Sequence, residues 1–302
     1  PEGHPGIYFS YTEGSRAPST IELGCADPNR PCRLPNAMAG DPPLNQVKAR
    51  TYQAGIRSEQ GRKLSWDLGV FSTSDSDDIL FVASPQTGFG YFKNFGLTRR
   101  RGIEAELSTQ WRRLYFGSSL ALLNASYRTA ETLNGTGNSS NDAAAKGLEG
   151  SIQISPGNRM PLSPGLTSKL YSDIDLPHGL EAGVSLSMAT ASYVRGNENN
   201  LHQPDGIYYL GPGKIPGYAI ASTQLRYRLN GRIGFHLTIN NLFDTRFYTA
   251  GLLGVTGFSS SRTVVARPFA AIGGNFPLVQ SSFLAPGAPR AFVGGMTIKL
   301  KH

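Results

Sequence analysis

The sequence predicts an all-β protein, and specifically a transmembrane antiparallel β-barrel. Three observations carry that reading: segments of strict period-two alternation along the whole length, connections that alternate between tight and long, and a composition too polar for a conventional core. Hydrophobic residues make up 39% of the 302, with 36 glycines, 20 prolines and 13 tyrosines. That is below the apolar share of an ordinary globular domain, yet the aromatic content is too high for disorder. No run of 18 apolar residues occurs, which excludes transmembrane helices. It does not exclude barrel strands, which alternate and never produce such a run.

The alternation is explicit. Ile233, Phe235, Leu237 and Ile239 are interleaved with Gly234, His236, Thr238 and Asn240. Tyr52, Ala54 and Ile56 alternate with Gln53, Gly55 and Arg57, and Leu64, Trp66, Leu68 and Val70 with Ser65, Asp67 and Gly69. The same holds for Ile103, Ala105 and Leu107 against Glu104, Glu106 and Ser108, and for Leu180 to Met188 against Glu181 to Ser187. Period two is the strand period. About ten strands follow from it, near 6–15, 47–58, 63–75, 98–111, 114–128, 162–176, 180–195, 215–229, 232–248 and 289–300.

The connections decide between a soluble sandwich and a membrane barrel. "EQGRK", "WRR", "DLPHG" and "LNG" are tight turns. The remaining links, near 16–46, 76–97, 129–161, 196–214 and 249–288, are long and rich in Gly, Pro, Asn and Ser. Short turns on one side and long loops on the other are the asymmetry of an outer-membrane barrel, whereas soluble domains seldom carry such loops. On this reading Phe235, Leu237 and their kin face lipid. His236, Thr238 and Asn240 face a polar lumen as wall residues, and Phe243, Phe247 and Tyr248 belong to an interfacial aromatic girdle. Asp67, Glu104, Glu106, Lys169, Asp173, Asp175, Glu181, Arg226, Arg228 and Lys299 fall on the lumen register. Ten strands closing alone would crowd those charges at a desolvation cost, and an open sheet in lipid would leave unsatisfied edges. The expectation is that other strands complete the wall.

The net charge of +8 is spread along the chain, with Arg99, Arg100 and Arg101 its one cluster. No nucleic-acid recognition motif accompanies it, and a basic surface toward anionic lipid is the natural partner. Cys25 and Cys32, in "CADPNRPC", lack the neighbouring Cys or His of a metal site. They predict a local disulfide and an oxidising compartment. The chain opens inside a strand pattern without a leader sequence, so a preceding segment is expected to have been removed. Neither G-x-S-x-G nor H-E-x-x-H occurs, and no catalytic or metal-ligating residue is predicted.

Four fragments, in order, resemble the TonB-dependent outer-membrane receptor family. They are Gly14, Arg16, Ala17 and Pro18 in "YFSYTEGSRAPSTIEL"; Gly102, Ile103 and Glu104 in "RRRGIEAEL"; Asn241, Leu242, Phe243 and Asp244 in "NNLFDTRFY"; and Pro289, Arg290 and Phe292 in "PGAPRAFVGGMTIKL". The resemblance implies roughly the last ten strands of a barrel of about 22, with the plug domain and its coupling box outside the chain. The chain departs from the family in ending Lys299, Leu300, Lys301, His302 rather than on an aromatic residue. By resemblance the function is active import of a scarce bulky nutrient, most simply a ferric siderophore. The TonB–ExbB–ExbD complex would drive it through the missing plug. No cofactor is implied beyond that ligand.

Ligand contact would then fall to the loops. "SPQTGFGYFKNFG" offers Phe89, Tyr91, Phe92 and Lys93 beside Phe95, and "LHQPDGIYYLGPG" offers His202, Tyr208 and Tyr209. The aromatics suit a planar ligand, and Lys93, Arg99 or Arg195 an anion. The alternative is a self-contained ten-stranded surface barrel, either an adhesin or a hydrolase using Asp75, Asp77 or Asp78 with His202 around a water.

Overall fold

The structure, a computed structural model, describes residues 4–27, 44–60, 63–83, 90–264 and 270–299. In chain order its strands are β1 (Gly6–Arg16), β2 (Val47–Gln60), β3 (Leu64–Ala83), β4 (Gly90–Trp111), β5 (Leu114–Tyr127), β6 (Glu131–Asn134), β7 (Ser151–Ile154) and β8 (Leu166–Asp175). There follow β9 (Leu180–Ala189), β10 (Ser192–Tyr193), β11 (Lys214–Ile215), β12 (Tyr218–Arg228), β13 (Ile233–Asn240), β14 (Tyr248–Val255), β15 (Gln280–Pro286) and β16 (Ala291–Ile298). A short helix, α1 (Thr20–Gly24), is capped by Ser19 and Glu22. Ten strands form one antiparallel sheet in the order β1-β2-β3-β4-β5-β8-β9-β12-β13-β16, a meander in which each strand pairs with the next wall strand in the chain. β6/β7, β10/β11 and β14/β15 are two-stranded pairs of their own, inserted at one end of that sheet.

The ten strands expected from alternation are the ten of the main sheet, and the pairing register sorts their side chains into two faces. One row reads Phe9, Ala54, Val70, Ile103, Leu122 and Leu166. The neighbouring row, one residue along, reads Tyr8, Gly55, Gly69, Glu104, Ala121 and Thr167. The apolar face is bare: Ile7 is 86% exposed, Phe9 72%, Trp111 68% and Phe292 66%. Leaving one such side chain in water costs about 1.5–3 kcal/mol, and a continuous face of them is far beyond what soluble monomers expose. This is the lipid face.

The opposite face is polar and internally bonded. Arg57, Asp67, Glu106, Ser119 and Lys169 stand in one row. Arg226 donates to Glu181 at 2.7 Å, and Gln224 Nε2 donates to Asp173 Oδ1 at 2.7 Å. That last bond passes over Gly183, where a Cβ would run into the Asp173 carboxylate and the Gln224 side chain. His236 lies across Gly295 in the same manner, as a wall residue.

Several expected boundaries move: the strands expected at 162–176 and 180–195 shorten to Leu166–Asp175 and Leu180–Ala189, and the links near 129–161 and 249–288 carry β6, β7, β14 and β15. The link expected near 76–97 is largely strand, since β3 runs on to Ala83 and β4 begins at Gly90. The strand expected at 232–248 ends at Asn240. Asn241 takes a left-handed φ of 51° and Asp244 one of 52°, which breaks the extended chain.

Candidate functional site: the mouth at the long-loop end

The described parts of the long connections lie at one end of the sheet. Just below them, β3 and β4 change face. Asp77 has φ 55°, and pairing resumes beyond it with Asp78 opposite Phe95. Period two would send Asp75 and Asp78 to opposite faces. The left-handed residue between them turns both toward Arg100, whose guanidinium donates to Asp75 Oδ2 and, at 3.0 Å, to Asp78 Oδ2. Thr98, fully buried, donates to the same Asp78 oxygen at 3.0 Å. Above the switch, Leu80 and Phe95 join Ala125, Tyr127, Leu133, Ile152, Ile154 and Met160 in an apolar core, with the Phe95 and Tyr127 rings 5.1 Å apart.

A second, polar core ties loop to loop. Asn138, Asn197 and Asn199 are almost wholly buried. Asn138 Nδ2 donates to Gly196 O at 2.9 Å and to Asn199 Oδ1 at 3.1 Å; Asn197 Nδ2 donates to Gly213 O at 2.9 Å. His202 is held at both nitrogens: Nδ1 accepts from Ser139 N at 3.1 Å, so Nε2 is the donor to Gly211 O at 3.0 Å. Burial holds its pKa below the ordinary value. Asp205 Oδ1 accepts the backbone N–H groups of Ile207, Tyr208 and Tyr209, each at 2.9 Å. Those bonds and the Lys146 ammonium keep its carboxyl below the usual range, against the effect of burial.

Between the two cores lies a cavity of about 270 Å³. Leu80, Phe95 and Tyr127 line it from the sheet; Leu133, Met160, Leu252 and Leu253 line it from the loops. Its charged groups are Arg195 and Glu198. The Arg195 backbone is clamped, its N–H donating to Gly251 O at 2.9 Å and its carbonyl accepting from Leu253 N at 2.8 Å. Glu198 Oε1 accepts from Gly196 N at 2.9 Å. Burial raises the Glu198 pKa, opposed by that N–H and by Arg195. An apolar and aromatic wall with one guanidinium and one carboxylate can sequester a flat or greasy group and orient its charge; it holds no nucleophile–base pair. The volume falls just short of the roughly 300 Å³ at which drug-sized pockets begin, so a bulky ligand would enter only in part.

Of the residues predicted to meet ligand, Arg195 lines this cavity. Tyr91 packs against the apolar core, and Phe92 meets Phe81 edge-on at 5.2 Å. Lys93 is bound to Glu131 at 2.7 Å, with its ammonium 5.7 Å from the centre of the Phe95 ring. Tyr209 is 1% exposed and its hydroxyl accepts from Gly147 N at 3.2 Å, which makes it part of the loop core. Tyr208 is half-buried beside Gly147. Phe89 and Cys32 lie outside the described residues, and with Cys32 the expected pairing to Cys25. Tyr127, Met160 and Glu198 were missed. Glu198 had a local signal, as the lone acid in the Asn-rich run "RGNENN". The hydrolase alternative is corrected. Asp75 and Asp78 belong to strand β3 and to Arg100, and the ring nitrogens of His202 are both engaged by backbone.

Asn241, Leu242, Phe243 and Asp244 form a knot at the end of β13. Asn241 is 3% exposed. Its Nδ2 donates to Thr245 O at 2.9 Å and Ala288 O at 3.1 Å, and its Oδ1 accepts Thr245 N at 2.8 Å. Asp244 Oδ1 accepts from Arg290 N at 2.9 Å, tying the turn to the start of β16. The family model for TonB dependent receptor-like β-barrels matches residues 4–242.

The chain belongs to the TonB-dependent receptor family. Its sheet is thus the wall of a bacterial outer-membrane barrel, and the family's members are transport receptors rather than enzymes. Solved structures agree in fold. The ferric-catecholate import receptor Fiu from K12 E. coli superposes with a TM-score of 0.58 at 16% identity, covering 97% of this chain and 33% of that one. The ferric yersiniabactin uptake receptor FyuA from Yersinia pestis gives 0.57 at 17%, covering 96% and 34%. The siderophore receptor PiuA from Acinetobacter baumannii gives 0.59 at 16%, covering 97% and 34%. This receptor chain therefore spans about a third of the length of those structures. No curated protein matches it in sequence.

Proposed function

We propose that this chain forms wall, loops and part of the ligand mouth of an active-transport receptor for a bulky, scarce metal chelate, most simply a ferric siderophore. Energy would come from TonB–ExbB–ExbD acting on a plug domain outside the chain. The observation that carries this reading is the extracellular cavity, in which Arg195 opens onto an apolar and aromatic wall. Ferric catecholates pair flat aromatic ligand arms with net negative charge around the metal, and a guanidinium over such a wall matches both. Fiu, FyuA and PiuA, named for ferric-catecholate, ferric yersiniabactin and siderophore uptake, lend support at the level of fold.

The test is uptake of a panel of radiolabelled ferric siderophores by cells carrying the full receptor. Arg195→Gln is expected to raise the half-saturating concentration of an anionic chelate about tenfold, the loss of one charge-assisted contact of about 1.5 kcal/mol. Uptake should stop when the inner-membrane energy source is removed. Uptake indifferent to that source, or transport of no chelate at all, would overturn the proposal.

A further inference from the structure

The lipid face changes character above the row that contains Val70 and Ile103. The next outward row sets Tyr11, Tyr52, Ser72, Arg101 and Asn124 side by side; the one beyond sets Glu13, Arg50, Ser74, Arg99 and Ser126. A step further up, Lys48 pairs with Ser76. Three serines of β3 thus floor a trough where the face below them is Leu68 and Val70. Lys48 and Arg50 rise on the β2 side and Arg99 and Arg101 on the β4 side. With strands about 4.8 Å apart, the two cation columns stand about 10 Å from one another, a gap that one phosphate bridges when side chains lean in from both walls.

The charges here are unbalanced. Glu13 is the trough's carboxylate, and it meets Arg50 at 3.4 Å. Among the described residues, Lys48, Arg99 and Arg101 form no ion pair. Arg99 Nε is buried without a hydrogen-bond partner, an arrangement that normally awaits an acceptor. Depth fixes what that acceptor is. The Tyr11 and Tyr52 rings pack 5.0 Å apart at the lower rim, where aromatic belts mark the headgroup level. The two rows directly beneath are apolar, Phe9, Ala54, Val70 and Ile103 and then Ile7, Ile56, Leu68 and Ala105.

We propose that this trough binds the phosphate of a phosphorylated lipid in the outward-facing leaflet, with arginines clasping the anion and the serine hydroxyls donating from below. The site rests on the barrel spanning the membrane and is independent of what the receptor imports.

The experiment takes the full receptor, purified in detergent, and measures retained lipid by native mass spectrometry. The probes are lipid A, with its two glucosamine phosphates, its dephosphorylated form, and inorganic phosphate as a competitor. Wild type is expected to retain lipid A in clear preference to the dephosphorylated form, unaffected by millimolar phosphate. Arg99→Gln with Arg101→Gln should weaken retention about thirty-fold, from about two headgroup–cation contacts. Lys48→Gln with Arg50→Gln, on the opposite wall, tests the same trough should the first pair fail to fold. Glu13→Gln, which releases Arg50, should strengthen retention. Equal retention by folded variants and wild type, or no discrimination against the dephosphorylated lipid, would overturn the proposal. Displacement by inorganic phosphate would overturn the lipid and assign a free-anion site.

Discussion

His202 and Glu198, four positions apart in one loop, are shifted by burial in opposite directions. The His202 pKa lies below its ordinary 6.5 because the ring is buried, and protonation would place a proton on Nδ1 facing the Ser139 N–H. The folded loop therefore binds fewer protons than the unfolded one between the depressed value and 6.5. Its stabilisation is complete above 6.5 and is lost as pH falls toward the folded value. Glu198 runs the other way. Its pKa is raised above 4.5, so its contribution is complete below 4.5 and is lost as pH rises through the raised value. Hydrogen exchange over residues 135–141 and 197–213 should show protection falling on acidification below 6.5, and His202→Gln should flatten that limb. Glu198→Gln should flatten the limb at higher pH. Protection unchanged from pH 8 to 4 would defeat both assignments. Asn241 makes the complementary case at fixed pH. Asn241→Ala removes three side-chain hydrogen bonds from a buried turn, a loss of about 3 kcal/mol at roughly 1 kcal/mol each. Urea unfolding of the receptor in liposomes would measure it, with Asn241→Gly separating backbone strain from bonding.

At the scale of the element, the wall strands were legible and their interruptions were not. Alternation is a property of neighbouring side chains, so Ile103, Ala105 and Leu107 declare their face without help from the rest of the chain. The switch at Asp77 depends on one backbone dihedral, and Asp tolerates that dihedral without advertising it. An acidic run that reads as loop is in fact strand with two carboxylates aimed at one arginine. The cavity was illegible for a different reason: Met160, Glu198 and Leu253 reach Tyr127 of β5 only after three long connections have folded. Lys93 and Tyr209 read as cationic or aromatic loop residues, but Lys93 stands in β4 bound to Glu131 and Tyr209 is buried in the loop core. The Asp75–Arg100–Asp78 cluster sets a prediction for the β3–β4 hairpin. Arg100→Met strands two buried carboxylates, a cost of about 3–5 kcal/mol, and should make β3 and β4 newly sensitive to protease around Asp78 and Phe95. Adding Asp75→Asn and Asp78→Asn should restore most of the resistance. A single variant as resistant as wild type would show that the cluster does not hold the hairpin.

For the whole molecule, the question is which face meets lipid, since every other assignment follows from it. β1 and β16 are the two edges of the main sheet and do not pair with each other, so the sheet does not close by itself. Open edges in hydrocarbon leave backbone groups unsatisfied, and solved structures of this fold are about three times as long. Further strands completing the wall satisfy both facts. The lumen-side charges then make sense as the lining of a wide interior: Glu104 and Glu106 face it unopposed by any cation at hydrogen-bonding distance among the described residues. Leu107 and Glu106 are adjacent in β4, midway between the Arg101 row and Trp111, and differ only in face. Leu107→Arg should therefore destabilise the folded receptor in liposomes by about 2–4 kcal/mol, the cost of an arginine at the bilayer midplane. Glu106→Arg, one residue away, should change stability by less than about 1 kcal/mol because water and neighbouring carboxylates solvate it. Denaturant titration of both variants reads the difference directly. Equal costs would mean that the sheet does not separate lipid from lumen, and reversed costs would turn the wall inside out.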